Sequence, residues 1–131
     1  MDNPKDNKFF IGQNKLPALR DHNSPVYGFI NKKTEKLVTA LYMVTDCMDS
    51  DEALKNKLRS LGVELLSDTY KLSTLSLIEK HPHLSISIAK INEAISFLEI
   101  ASIIGFISEM NAEILKREFT NLITELESHL A

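Results

Sequence analysis

The chain has 131 residues, 44% of them apolar and 25% charged, with a formal net charge of -3. That is one domain of ordinary size, with too much apolar material for a disordered chain. Its longest uncharged apolar stretches, 37–45 and 100–108, fall far short of the roughly 20 residues a spanning helix needs, so no membrane crossing is expected. A single cysteine forms no intramolecular disulfide, and Met1-Asp2-Asn3-Pro4-Lys5 carries no apolar signal core, so a cytoplasmic location is expected.

The charge is divided unevenly. Residues 1–36 hold seven Lys/Arg against four acids, giving +3, whereas the remaining 95 hold eight against fourteen, giving -6. Three of the four prolines (Pro4, Pro17, Pro25) and two of the four glycines (Gly12, Gly28) lie in the first 28 residues. Such punctuation predicts an irregular N-terminal extension over 1–31. Within it, Phe9-Phe10-Ile11 and Val26-Tyr27-Gly28-Phe29-Ile30 are expected to dock as short extended pieces on the body or on a neighbouring subunit.

From residue 32 the period becomes 3.6. Leu37, Leu41, Val44 and Met48 mark a first amphipathic helix over about 32–48. Asp46, Asp49, Ser50 and Asp51 predict a tight connection and an N-cap for the next helix. Leu54, Leu58, Leu61, Leu65, Leu72 and Leu75 carry that helix over about 51–80, with Asp68 in an inward slot and Gly62 costing about 1 kcal/mol of propensity. Asp68 is read either as a buried acid or as an exposed partner of Lys71.

His81-Pro82-His83 is taken to end the second helix, since proline disfavours helical geometry in the residue before it. A third helix follows over about 83–105, with Ile88, Ile91, Ile95, Leu98 and Ser102 inward. Its first turns are ambiguous, because Leu84, Ile86 and Ile88 also alternate with period 2. Gly105 is a natural stop and Ser108 an N-cap for a fourth helix over about 108–130, which turns Leu115, Phe119, Leu122, Leu126 and Leu130 inward and pairs Glu113 with Arg117 on its outer face. Four amphipathic helices on short connections predict an all-α, antiparallel up-down-up-down four-helix bundle over 32–131.

Catalytic motifs are absent from the sequence. The four histidines (His22, His81, His83, His129) show no helical metal-ligand spacing, and there is no glycine-rich phosphate loop, Cys-x-x-Cys pair or Gly-x-Ser-x-Gly elbow. Cys47 is expected to be a small buried or half-buried hydrophobe. The expectation is a non-enzymatic protein with no cofactor, no bound metal and no small-molecule substrate.

Interaction chemistry is confined to basic residues. Lys32 with Lys36, and Lys55 with Arg59, are i, i+4 pairs, and Lys33 and Lys57 lie nearby in sequence. If the first two helices are neighbours, these six form a positive band near their facing ends, a salt-sensitive phosphate contact. Asp51 and Glu52, four and three residues before Lys55, instead suit a solvated helix surface. The third helix is apolar beyond one stripe, through Ile86, Ile91, Phe97, Ile100, Ile103 and Ile104, so self-association is expected.

Three stretches, Thr34 to Val44 (TEKLVTALYMV), Ala94 to Ser108 (AISFLEIASIIGFIS) and Leu115 to Leu126 (LKREFTNLITEL), give residues 34–130 a resemblance to a known group. They resemble the small bacterial four-helix-bundle proteins encoded in ribosomal RNA intervening sequences and the accessory variability determinant of diversity-generating retroelements. The resemblance implies a four-helix protomer that assembles into a ring, commonly a pentamer. In the retroelement branch it also implies a basic surface that binds the reverse transcriptase and its template RNA. The acidic body departs from that branch, so a positive surface here has to be local, supplied by Lys32, Lys33, Lys36, Lys55, Lys57 and Arg59 or by the basic lead. Two functions follow as expectations: an oligomeric accessory subunit of a retroelement reverse transcriptase, or a protein-interaction bundle with no nucleic-acid role.

Overall fold

A computed structural model describes residues 25–48 and 51–130. The first 24 residues, with the Phe9-Phe10-Ile11 group, lie outside that description. Four helices make up the described chain: α1 Pro25–Thr45, α2 Glu52–Lys71, α3 Leu77–Ile103 and α4 Glu109–Leu130. A single 3₁₀ turn, Leu72–Thr74, follows α2.

α1 begins seven residues before the predicted start, and the Val26 to Ile30 group is its first turns rather than an extended piece. The reason is local. Proline at the first helical position gives up a donor that has no intrahelical partner there, and its fixed φ already suits the helix. Burial of Ile30 and Thr34 then carries the amphipathic face back to this start.

The boundary between α2 and α3 also differs from expectation. Asp51 caps α2, its carboxylate accepting from the Leu54 amide at 2.9 Å, but the helix ends at Lys71 instead of running to 80. α3 then opens on a capping box. The Ser76 hydroxyl accepts from the Glu79 amide while the Glu79 carboxylate accepts from the Ser76 amide. Two reciprocal bonds outweigh the proline signal, and Pro82 sits inside α3 near its start. There it forfeits one bond, to the Ile78 carbonyl at an exposed residue.

α3 ends as expected. Gly105 has φ of +84°, its amide donates to the Ser102 carbonyl at 3.1 Å, and the Phe106 amide donates to the Ala101 carbonyl at 2.9 Å. This Schellman arrangement requires a left-handed residue, which glycine supplies without strain. Ser108 caps α4 through the Asn111 amide at 3.0 Å.

Each helix packs on its neighbour in sequence, and α1 closes the bundle by packing on α4. Cross-links fix the antiparallel directions: Tyr70 to Glu35 and Arg59 to Tyr42 between α2 and α1, Asp68 to Lys90 between α2 and α3. The core takes one face from every helix, with Ile30, Leu41, Leu58, Leu65, Ile91, Leu98, Phe119, Leu122 and Leu126 fully buried. Burying a side chain of this size is worth about 1.5–3 kcal/mol, so these interlocking faces dominate the stability.

The inward face of α3 is rotated from the predicted stripe. Leu84, Ser87, Ile91, Ala94, Leu98 and Ala101 are buried, while Ile88, Ile95 and Ser102 are only half-buried. Small residues at 87, 94 and 101 let the neighbouring helices approach. At Gly62 the fit between α1 and α2 is similarly close, since a Cβ there would lie 3.1 Å from Leu41 Cδ2. Among the described residues no helix is long and apolar enough to cross a membrane.

Candidate functional site

The six basic candidates divide into two groups. Lys32, Lys33 and Lys36 lie toward the N-terminal half of α1, whereas Lys55, Lys57 and Arg59 open α2, beside the other end of α1. At 1.5 Å per helical residue, Lys36, the nearest of the first group, stands about 14 Å along α1 from Thr45, the level at which Arg59 binds. The expected continuous band is therefore not formed.

Arg59 is a structural clamp. Its Nε donates to Thr45 Oγ1 and a terminal nitrogen to the Tyr42 carbonyl, both at 2.9 Å, while Asp46 lies 3.8 Å away. The guanidinium also stacks 4.5 Å from the centroid of the Tyr42 ring. It thus satisfies a carbonyl at the open C-terminal end of α1, where a cation is favoured by the helix dipole. Lys57 turns to α3 and pairs with Glu93 at 3.8 Å.

On α1, Lys33 pairs with Glu118 of α4 at 3.7 Å and Lys32 with Glu35 at 3.5 Å. Among the described residues Lys36 and Lys55 form no ion pair. Lys32, Lys33 and Lys36 edge a groove of about 410 Å³ between α1 and α4, floored by Phe29, Leu37, Ala40 and Ile114. It is a candidate site with both charge and apolar surface.

Elsewhere the expected polar features resolve into packing. Asp68 is buried, as one of its two readings had it, but its partner is Lys90 of α3 at 2.8 Å rather than Lys71. Lys90 also lies 3.5 Å from Glu64. The hydrogen bond to Asp68 holds the Lys90 ammonium above the usual lysine range. His83 sits 3.0 Å from the Asp68 carbonyl and His81 is exposed. Among the described residues no group of three or more His, Cys, Asp or Glu is placed to hold a metal ion.

Two smaller expectations are corrected. Cys47 is exposed, in the turn that follows the end of α1 at Thr45. Glu113 pairs with Lys116 at 2.9 Å instead of with Arg117, since Lys116 bridges both Glu113 and Glu99 of α3. That double bridge raises the Lys116 ammonium above its ordinary range, the bond to Glu99 being the larger cause.

The outer face of α3 is the second exposed feature. Ile78, Ile86, Ile100 and Ile103 are 86%, 54%, 46% and 74% exposed, on the side opposite Ile91 and Leu98. Ile104 is exposed beside them, Phe97 is half-buried, and Ile91, expected in this surplus, is in the core. No family model matches the chain, and no curated protein matches it.

Proposed function

We propose that this chain is a non-enzymatic adaptor that associates with copies of itself through the outer face of α3 and presents its other helix faces to a partner. The exposed isoleucines of α3 carry the reading. Ile78 and Ile103 stand about 37 Å apart along a helix whose opposite face already fills the core. Sedimentation at micromolar concentration tests it. An oligomer is expected for the native chain and a folded, smaller species for Ile86→Glu/Ile100→Glu; a native chain that sediments as a monomer refutes it.

In its specific form, the adaptor is a ring, a pentamer by the resemblance of residues 34–130, and serves a retroelement reverse transcriptase and its template RNA. Lys36 and Lys55, which form no ion pair among the described residues, support this form, with Lys32 and Lys33 beside Lys36 on α1. It predicts RNA retention on filters that falls steeply with salt, with the slope reduced by about 1–2 in Lys36→Glu/Lys55→Glu. Binding indifferent to both salt and these substitutions refutes the RNA contact. A bundle that engages proteins alone is the second reading, favoured by the ion pairs that occupy Lys33, Lys57 and Arg59.

A further inference from the structure

The groove between α1 and α4 combines three properties. Its floor is apolar, with Phe29 53% exposed and Ile114 41% exposed, so it leaves uncovered surface that water solvates poorly. Its edge carries three ammonium groups: Lys33 is engaged by Glu118, Lys32 lies 3.5 Å from Glu35, and Lys36 has no acid among the described residues. Its walls are the sides of two antiparallel helices, and from Phe29 to Ala40 it runs about 16 Å, or three helical turns.

Those properties select an occupant. Helical walls have spent their backbone donors and acceptors internally, so an extended peptide finds no edge to pair with and its own amides would be buried unsatisfied. A helix brings its backbone bonds with it and needs only side chains to dock. The floor requires apolar anchors at i, i+4 and i+7. The lysines require acids along the flank, above all opposite Lys36, which no carboxylate of the described chain engages. A nucleic-acid backbone would neutralise the lysines yet leave Phe29 and Ile114 without a partner.

We infer that the α1–α4 groove is the docking slot for an acidic amphipathic helix of a partner protein. It rests on the adaptor reading and names the partner chemistry that reading leaves open. Lys36 and Lys32 hold the helix by charge and set its direction, while Phe29, Ala40 and Ile114 receive its apolar stripe. Lys33, tied to Glu118, braces the wall from which the other two reach.

The test uses the full chain and synthetic helical peptides of about four turns. One carries leucines at i, i+4 and i+7 with flanking glutamates, its counterpart has every glutamate replaced by lysine, and oligouridylate serves as the RNA probe. Titration calorimetry is expected to show the acidic peptide binding at least 10-fold more tightly than its counterpart, with affinity falling as salt rises. Lys36→Glu should weaken the acidic peptide at least 5-fold, and Lys32→Glu/Lys36→Glu should invert the preference. Amide resonances of Ala40 and Ile114 should shift on binding. Equal affinity for both peptides, no response to Lys36→Glu, or displacement of the acidic peptide by oligouridylate at lower concentration overturns the proposal. Circular dichroism confirms that each variant is folded. Peptide binding should survive Ile86→Glu/Ile100→Glu, so loss of self-association and loss of docking are separate failures.

Discussion

Lys90→Met is the sharpest test of the physical account of this bundle. The ammonium lies 2.8 Å from an Asp68 carboxylate whose side chain is 11% exposed, and 3.5 Å from Glu64, at the seam of α2 and α3. At an effective dielectric of about 20 the closer contact is worth about 6 kcal/mol of gross attraction, most of which is offset by desolvating the two ions. Removing the cation leaves the attraction lost and the Asp68 desolvation still in force. For a fully buried pair that costs about 3–5 kcal/mol. Here water reaches the Lys90 side, 22% exposed, and lowers the expected cost to about 2–3 kcal/mol.

Urea unfolding followed by far-ultraviolet circular dichroism measures this directly, as a midpoint shift of about 1 M at slopes ordinary for a small domain. Asp68→Asn should cost less, about 1–2 kcal/mol, because its amide oxygen still accepts from Lys90 and Glu64 keeps a carboxylate in reach. The double variant should fall at least 1 kcal/mol short of the sum. The pH dependence has a definite sign. The folded-state value of Lys90 is raised, so the stabilisation is complete below the ordinary lysine value of 10.5 and is lost as pH climbs through the raised one. The gap between the native chain and Lys90→Met should therefore close in strong alkali. A Lys90→Met variant within 0.5 kcal/mol of the native chain near neutrality, or a double variant equal to the sum, refutes the reasoning.

Three further outcomes follow from single contacts. The Ser87 hydroxyl is buried in the α3 core face with no hydrogen-bond partner among the described residues, so Ser87→Ala should raise stability by about 1 kcal/mol, read as a higher urea midpoint. Gly62→Val should destabilise by about 1–3 kcal/mol through overpacking against Leu41 and Val38, while Gly62→Ala, which trades a 3.1 Å contact for better helix propensity, should lie near neutral. Tyr70 donates to Glu35 at 2.8 Å, and that bond raises its phenol above the ordinary 10.0. Its contribution is present below pH 10 and lost through the raised value, so phenolate absorbance should show a late-titrating tyrosine that Tyr70→Phe abolishes.

The leucine faces of α2 and α4 were legible in the sequence because each is a single uninterrupted stripe. Leu54, Leu58, Leu61 and Leu65, and then Leu115, Phe119, Leu122 and Leu126, are buried where their spacing put them. Gly105 and Ser108 were legible for a different reason: one conformational need and one cap fall at adjacent places in the chain. The α2–α3 boundary was obscured because Leu72 and Leu75 continue the heptad through a break, and Pro82 competes as a stop signal with a capping box six residues earlier. At α1, prolines and glycines near the start suggested irregular chain. Pro25 is compatible with a helix start, and a cluster of such residues says nothing about which position each will take.

The candidate site was less legible than the fold, for a reason rooted in distance along the chain. Spacing of three or four residues places Lys32 and Lys36 together on one helix, but the acid that decides whether a lysine is available comes from another element. Glu118 lies 85 positions after Lys33 and Glu93 lies 36 after Lys57, so neither pairing leaves a periodic trace. Arg59 shows the same limit. Its i, i+4 partner Lys55 suggested a shared charged face, whereas its guanidinium closes the end of α1 fourteen residues upstream. Net charge misleads in the same way. The whole chain carries -3, yet the groove between α1 and α4 is edged by Lys32, Lys33 and Lys36 from the basic first 36 residues against Glu118, because local charge is set by which helix faces meet. A basic, apolar-floored groove is suited to discriminate among partners: it rewards an acid most when an apolar stripe arrives with it.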